Sequence, residues 1–107
     1  MINHKPKGNH LLLSEFETEV ASEVAIWRQA KWGDMCVSYE TYLSDFDDRE
    51  LLKGFPNVRY QCPHWGYLLA GRMIVRYADH EEAVKAGEVY YMAPGHTMAT
   101  DAGTVLV

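Results

Sequence analysis

The spacing of apolar residues in the first third of the chain is that of a helix. Between residues 14 and 31, large apolar side chains recur at intervals of four, four and three: Phe16, Val20, Val24 and Trp27. This repeat places them on one helix face, and Ser14 with Glu17 forms the S-x-x-E pattern of an N-terminal capping box. The β-branched and aromatic residues at 24–27 also permit a second interpretation, two short strands.

Strict alternation replaces the helical repeat after the break at Trp32-Gly33-Asp34. Between Met35 and Leu43 the odd and even positions lie on opposite faces of an extended chain, which predicts a strand. One face carries Met35, Val37, Tyr39 and Thr41, and the other carries Cys36, Ser38, Glu40 and Tyr42.

Residues 44–53 are predicted to form a short helix. Ser44 with Asp47 makes a second capping box, and Gly54 is placed to end the helix just after Lys53. The acidic residues of this segment suit a solvated helix N-terminus, where the helix dipole favours negative charge.

From residue 58 onward, short strand-like runs recur every 8–12 residues and are separated by turn residues such as Asp79-His80 and Pro94-Gly95. The runs are Val58–Cys62, Tyr67–Ala70, Met73–Tyr77, Glu82–Lys85, Val89–Met92, Thr97–Thr100 and Thr104–Val107. This spacing predicts an all-β sandwich or barrel. The last run is apolar, and we expect it to lie at a sheet edge or to continue into a further segment.

Length and charge limit the possible functions. A chain of 107 residues predicts one domain, which we divide into an N-terminal arm at 1–13 and a domain at 14–107 with its core at about 35–107. The formal net charge of −5, without a basic run, argues against nucleic-acid and membrane-surface partners. No apolar run approaches the ~20 residues that cross a bilayer. We expect a cytoplasmic protein in which Cys36 and Cys62 are free thiols.

Three segments of the second half carry a family resemblance. They read C-P-H-W-G-Y at 62–67, G-R at 71–72 and A-G-E-V-Y-Y-M-A-P-G-H-T at 86–97. With them, residues 54–107 resemble the cupin superfamily, and more closely its short single-domain bacterial members. The resemblance implies a single cupin β-barrel of jelly-roll type, with the N-terminal helical or extended segment packed on it. It also implies a homodimer, for which the aromatic residues Trp27, Trp32 and Phe55 offer surface.

The metal-binding pattern of that superfamily is altered in this chain. In strict register its four ligand positions fall on Val58, Tyr60, His64 and Met98, and only His64 is a good ligand. The standard set of three histidines and one glutamate is therefore not present as such.

A relocated metal site is one hypothesis. Cys62 lies two residues from His64, and His96 lies two residues from Met98, so each pair shares a strand face. Thiolate and imidazole suit zinc, iron or copper. Cys62, His64 and His96 are thus a candidate site for one divalent ion acting as a Lewis acid. Pro63 interrupts the simple alternation if it forms a bulge.

Each candidate ligand also has a simpler interpretation. Cys62 suits a small buried apolar residue, His64 a neutral core histidine, and His96 a histidine of a surface turn. The alternative function is therefore a metal-free module that binds a small apolar or aromatic molecule. A nucleophilic role for the cysteine is disfavoured, because the sequence shows no oxyanion hole and no third orienting group.

A ligand pocket is expected at the barrel mouth in either case. Tyr60, Tyr67 and Met98 are its predicted lining. Arg72 is the predicted contact for an anionic ligand. Whether the protein is an enzyme is left open by the sequence.

Overall fold

The chain forms short antiparallel strands in a computed structural model that describes residues 10–50 and 59–107. The strands are β1 (Glu17–Ala21), β2 (Ala25–Trp32), β3 (Met35–Tyr42), β4 (Phe46–Asp47), β5 (His64–Ala70), β6 (Arg72–Arg76), β7 (Glu81–Lys85), β8 (Val89–Met92), β9 (Thr97–Thr100) and β10 (Val105–Leu106). Two short 3₁₀ turns, Leu13–Glu15 and Asp48–Glu50, complete the regular structure of these residues. None of their helical segments is long and apolar enough to span a bilayer.

The strands make two sheets that share one core. The larger sheet has the order β1-β2-β3-β10-β5-β8, and the smaller has the order β4-β9-β6-β7. Both sheets contribute to the cluster of buried apolar residues, which includes Tyr42, Leu68, Met73, Val75 and Leu106. Burial of such side chains from two facing sheets is the main source of stability in a β-sandwich. The predicted all-β fold of jelly-roll type is confirmed.

The helix predicted over 14–31 is wrong, and the second interpretation, two strands, is confirmed. The segment forms β1 and β2, which pair with each other, and β2 pairs along its full length with β3. Trp27 and Ala25 point into the sandwich, opposite Glu40 and Tyr42. Pairing and burial against β3 outweigh the local helical preference of the segment. The helical spacing of its apolar residues is therefore a coincidence.

The helix predicted over 44–53 is also wrong where the structure describes it. Phe46 and Asp47 form strand β4 beside β9, and Asp47 accepts hydrogen bonds from Arg49 rather than pairing with Ser44 in a capping box. Phe46 packs against the Tyr42 ring at a centroid distance of 5.2 Å. Burial of this ring between the sheets explains the extended backbone. Residues 51–54 lie outside the described residues.

Strand β5 differs from prediction at its start. It begins at His64 and continues through Gly66, where a break was expected. A Cβ atom at Gly66 would lie 1.8 Å from the carbonyl oxygen of Val107 and 2.7 Å from Tyr90 Oη. The glycine is therefore needed for the close approach of the Val107 backbone and not for a turn. The run predicted from Val58 is reduced to one bridge at Tyr60, and Val58 itself lies outside the described residues.

The final strand lies inside the larger sheet. β10 pairs with β3 on one side and with β5 on the other, so the expected position at a sheet edge is wrong.

The two turns predicted at Asp79-His80 and at Pro94-Gly95 are present. The chain reverses at Asp79-His80, where the Tyr77 N–H donates to the His80 carbonyl, and Gly95 has a φ of 92°.

Candidate functional site

One interior face of the sandwich is only partly buried. Opposite residues in an antiparallel pair point to the same face, and several partly exposed residues lie opposite fully buried ones. Glu40 lies opposite Leu106, and Met98 lies opposite Val75. Five inward-facing residues keep part of their surface accessible: Trp27, Ser38, Glu40, Phe46 and Met98. We refer to this partly accessible interior face as the candidate opening.

Two histidines meet at this opening. His64 Nδ1 lies 3.2 Å from His96 Nε2, and the two rings are nearly perpendicular. His96 is only 1% exposed, whereas His64 is exposed at the first position of β5. The Tyr60 ring stands beside both, at centroid distances of 5.7 Å from His96 and 6.3 Å from His64. Its backbone N–H donates to the His96 carbonyl, which fixes the three rings as one group.

The hydrogen bonds of His96 determine where the protons lie. Its Nδ1 is 2.7 Å from the carbonyl oxygen of Ala93, which only accepts, so Nδ1 carries a proton. Burial lowers the pKa of His96, and the nearby His64 lowers it further, so the ring is neutral near pH 7. Its Nε2 is then an acceptor for the Nδ1–H of His64. A neutral His64 therefore presents a free lone pair on Nε2, which has no hydrogen-bond partner among residues 10–50 and 59–107.

A carboxylate lies deeper on the same interior face. Glu40 Oε2 accepts a hydrogen bond of 2.8 Å from Ser38 Oγ, and Oε1 accepts from Tyr42 Oη. Burial raises the pKa of Tyr42, and Glu40 raises it further. Among the described residues no lysine or arginine pairs with Glu40. Trp27 lies opposite Glu40 on β2, and a hydrogen bond from its side chain partly offsets the rise in the pKa of Tyr42.

Only part of the signal for this carboxylate group is present in the sequence. Alternation in β3 places Ser38, Glu40 and Tyr42 on one face, as predicted. The inward direction of that face follows from the pairing of β3 with β2 and β10, which alternation alone does not reveal.

A second carboxyl group is buried near the histidines. Asp48 is 2% exposed, and both of its oxygens lie 3.0 Å from the backbone N–H of Met98. Burial raises the pKa of Asp48 to about 6. The pKa of Tyr60 is raised by burial first and then by Asp48 and Glu40, so both acids act on the tyrosine beside the histidine pair.

The predicted metal residues are only partly brought together. His64 and His96 are in contact, and Cys62 is exposed. Across residues 10–50 and 59–107 no group of three or more His, Cys, Asp or Glu side chains is arranged to hold a metal ion. The set Cys62, His64 and His96 stays a prediction.

The predicted pocket residues divide into two groups. Tyr60 stands beside the histidine pair, and Met98 faces the interior opposite Val75. Tyr67 is 45% exposed on the outer face of β5, opposite in direction to the buried Leu68. Arg72 is exposed and forms an ion pair of 3.0 Å with Asp101. Tyr67 and Arg72 thus lie away from the histidine pair.

A separate surface depression of about 510 Å³ lies on the outside of the larger sheet, where the N-terminal segment crosses it. It is lined by Leu12, Leu13, Ser14, Phe16, Thr18 and Arg28. Arg28 follows the inward-facing Trp27 and so points outward, which puts this depression on the opposite face from the histidines.

Comparison with known proteins gives the fold and no activity. No model of a known protein family matches the chain, and no curated protein matches its sequence. A protein of unknown function from Rhizobium leguminosarum bv. viciae 3841 is similar in structure, with a TM-score of 0.65, 15% identity, and coverage of 94% of this chain and 93% of that one. KdgF from Halomonas sp. has a TM-score of 0.59 and 10% identity, over 94% and 89% of the two chains. An RmlC-like cupin from Shewanella frigidimarina NCIMB 400 has a TM-score of 0.59 and 10% identity, over 94% and 86%.

Proposed function

Because the chain has the cupin fold, we propose that it binds a small organic molecule in the open part of its sandwich, with His64 as the principal polar contact. The observation that carries the proposal is the hydrogen-bonded series from Ala93 O through His96 to His64, which ends in a free Nε2 beside accessible interior surface. Convergent polar groups next to apolar lining are typical of small-molecule sites.

The histidine pair is suited to a defined chemical role. His96 fixes the ring orientation and tautomer of His64 through the 3.2 Å contact. A neutral His64 then accepts a hydrogen bond at Nε2 from a hydroxyl or amino group, or a proton from a more acidic group. The Tyr60 ring lies beside both imidazole rings, at centroid distances of 6.3 Å from His64 and 5.7 Å from His96.

The proposal is tested by thermal unfolding in the presence of a library of small polar and aromatic metabolites. A ligand that binds only the folded state, present at 100 times its Kd, stabilises by about 2.7 kcal/mol, which raises the midpoint by several degrees. We expect the rise in the wild type and in the surface control His10→Ala, and its loss in His64→Ala. A rise that is the same in all three proteins would contradict the role of His64.

A divalent metal ion at the same histidines is the second candidate, and one distance favours it. Two imidazole nitrogens on one tetrahedral zinc lie about 3.3 Å apart, because each Zn–N bond is about 2.0–2.1 Å. The observed separation of 3.2 Å and the backbone-anchored Nδ1 of His96 fit two ligand positions, while a third protein ligand is not arranged around them in the described residues. Zinc, iron or copper held there would act as a Lewis acid on an oxygen of the bound molecule.

The metal candidate is tested by titrating Zn²⁺, Fe²⁺ or Cu²⁺ into metal-free protein and measuring the bound stoichiometry. One equivalent that is lost in His64→Ala and in His96→Ala would support the site. A further loss in Cys62→Ala, but not in the matched thiol control Cys36→Ala, would add Cys62 as the third ligand. Stoichiometry that survives both histidine substitutions would reject this candidate.

A homodimer and a cytoplasmic location are part of the proposal. The outer faces of β5 and the edge strand β8 expose five large apolar side chains by 42–78%: Trp65, Tyr67, Leu69, Val89 and Tyr91. Such a patch on an unpaired edge is typical of an interface. Trp65→Lys should give the mass of one chain in sedimentation, and a wild type that already has that mass would contradict the dimer. The free thiols Cys36 and Cys62 support a reducing compartment.

A further inference from the structure

We propose that the depression on the outer face of the larger sheet binds a small carboxylic acid with an apolar body, and that Arg28 is the charged contact. The depression has a volume of about 510 Å³, and small-molecule sites have volumes of roughly 300–1,000 Å³. It lies on the opposite face of the sheet from the histidine pair. This second site is therefore independent of the proposed function.

Arg28 is a charged residue on an otherwise uncharged part of the sheet surface. The outward-facing positions of β2 are Ile26, Arg28, Ala30 and Trp32. The residues opposite these four positions on β3 are all uncharged. Arg28 itself is partly buried and lies between Thr18 of β1 and Tyr39 of β3. A positive charge in such surroundings favours the binding of an anion, because few polar groups of the protein compete for it.

The guanidinium of Arg28 has no carboxylate partner within residues 10–50 and 59–107. In these ranges the arginines that form ion pairs are Arg49, Arg72 and Arg76. Two glutamates lie close to the depression in sequence. Glu15 Oε1 accepts a hydrogen bond of 2.8 Å from the Leu12 N–H. Glu17 lies opposite Gln29, on the other face of the sheet from Arg28. The charge of Arg28 therefore stays available to an anion from solution.

Apolar side chains border this charge. Leu12, Leu13 and Phe16 line the depression beside the guanidinium. The Phe16 ring makes edge contacts with Trp32 and Tyr39, at centroid distances of 6.3 Å and 6.2 Å, which hold it in place over the sheet. Leu12 is 71% exposed, so part of the apolar surface is open to a ligand. An alkyl or aromatic group that covers these side chains is stabilised by the hydrophobic effect.

A carboxylate is the head group that suits this setting. The planar guanidinium donates two parallel hydrogen bonds to the two oxygens of a carboxylate. The hydroxyl groups of Ser14 and Thr18 belong to the same depression and offer further donors. One cation balances the single charge of a carboxylate, whereas a phosphate dianion would keep a charge without a partner. An ammonium group would be repelled, and an alcohol would lack the ion pair.

The test compares three probes that share one skeleton and differ in the head group: hexanoate, hexanol and hexylammonium. Binding is followed by NMR through the Nε–H signal of Arg28, assigned by Arg28→Lys, and through the backbone N–H signals of residues 12–18. We expect hexanoate to bind most tightly and to shift these signals, hexanol to bind more weakly, and hexylammonium to bind weakest of the three.

Arg28→Gln is the matching variant, with Lys31→Gln as its control. Lys31 is an exposed residue of the same strand, so both substitutions change the net charge equally. Hydrogen bonds to charged groups are strong enough that Arg28→Gln should weaken hexanoate about tenfold or more, while Lys31→Gln leaves it unchanged. Leu12→Ser should weaken hexanoate and hexanol by the same factor, because it removes an apolar contact that both probes share. The comparison of head groups needs only the wild type, so it decides the matter even where Arg28→Gln fails to fold.

Three results would overturn the inference. These are tightest binding by hexanol or hexylammonium, an equal loss of hexanoate affinity in Lys31→Gln and Arg28→Gln, and no shift of the Arg28 signal with hexanoate up to about 10 mM. His64→Ala separates this site from the proposed function. We expect hexanoate to bind this variant as it binds the wild type. Loss of hexanoate binding in His64→Ala would assign the probe to the candidate opening, which would overturn the second site and support the proposed function.

Discussion

The contribution of Asp48 to the stability of this protein should fall as pH rises through the titration of its carboxyl group. The carboxyl group is 2% exposed and has one backbone N–H as its hydrogen-bond donor. Burial raises its pKa from an ordinary 3.8 to about 6 in the folded state. The folded state therefore binds this proton more tightly than the unfolded state does, and it loses stability when the proton leaves.

The magnitude follows from the two pKa values. Each pKa unit corresponds to 1.36 kcal/mol, so a rise from 3.8 to about 6 gives about 3 kcal/mol. Well below pH 4 the group is protonated in both states, and its burial then does not lower the free energy of unfolding through a buried charge. Between pH 4 and 6 the contribution is lost progressively, and above pH 6 the full penalty of a buried carboxylate is present.

Asp48→Asn isolates this contribution, because asparagine keeps an oxygen acceptor for the Met98 N–H and does not titrate. We expect the variant to gain about 3 kcal/mol relative to the wild type when the comparison moves from pH 4 to pH 7. Urea unfolding at four pH values between 4 and 7 measures the free energy of each protein. Glu17→Gln serves as the exposed control. A difference between Asp48→Asn and wild type that does not change with pH would refute the reasoning.

Three further predictions concern the packing around the site. Gly66→Ala should lower the free energy of unfolding by about 3 kcal/mol, because the added Cβ displaces the Val107 carbonyl and the three hydrogen bonds of Val107. Thermal unfolding measures the loss, and a value under 1 kcal/mol would contradict the prediction. Thr104→Val should cost about 1–2 kcal/mol in urea, because its buried hydroxyl both donates and accepts, whereas Thr104→Ser should cost less than half as much. Tyr77→Phe removes the acceptor of the Ala93 N–H and so loosens Ala93, whose carbonyl oxygen accepts the hydrogen bond of His96. Because that hydrogen bond raises the pKa of His96, an NMR titration should show this pKa falling further. An unchanged value would contradict the link.

The second half of the fold could be predicted because its signals are local. Turn residues such as Gly95 and the hairpin at Asp79-His80 have the backbone geometry that the sequence pattern requires. The strands between them are short and alternate clearly. The helix prediction for residues 14–31 was wrong for the opposite reason, since the strands there are specified by pairing with β3 rather than by their own residues.

The residues of the candidate site were likewise predictable only where the sequence signal is local. His64 and His96 could be found from spacing, because His64 occupies a position that the family pattern marks and His96 lies two residues from another. Glu40 could not, because the inward direction of its face depends on β10, which comes from the far end of the sequence. Tyr67 was predicted to line the pocket, but β5 turns it outward, on the face opposite to the buried Leu68.

The position of β10 has a consequence for the rate of folding. This strand pairs with β3 across more than half of the chain and with β5 across about a third of it. Contacts between such distant segments form slowly, because the loop entropy is lost before any pairing is gained. Until β10 inserts, the strands that carry Glu40 and His64 belong to two separate parts of the larger sheet. We therefore expect the interior face that joins them to form late in folding.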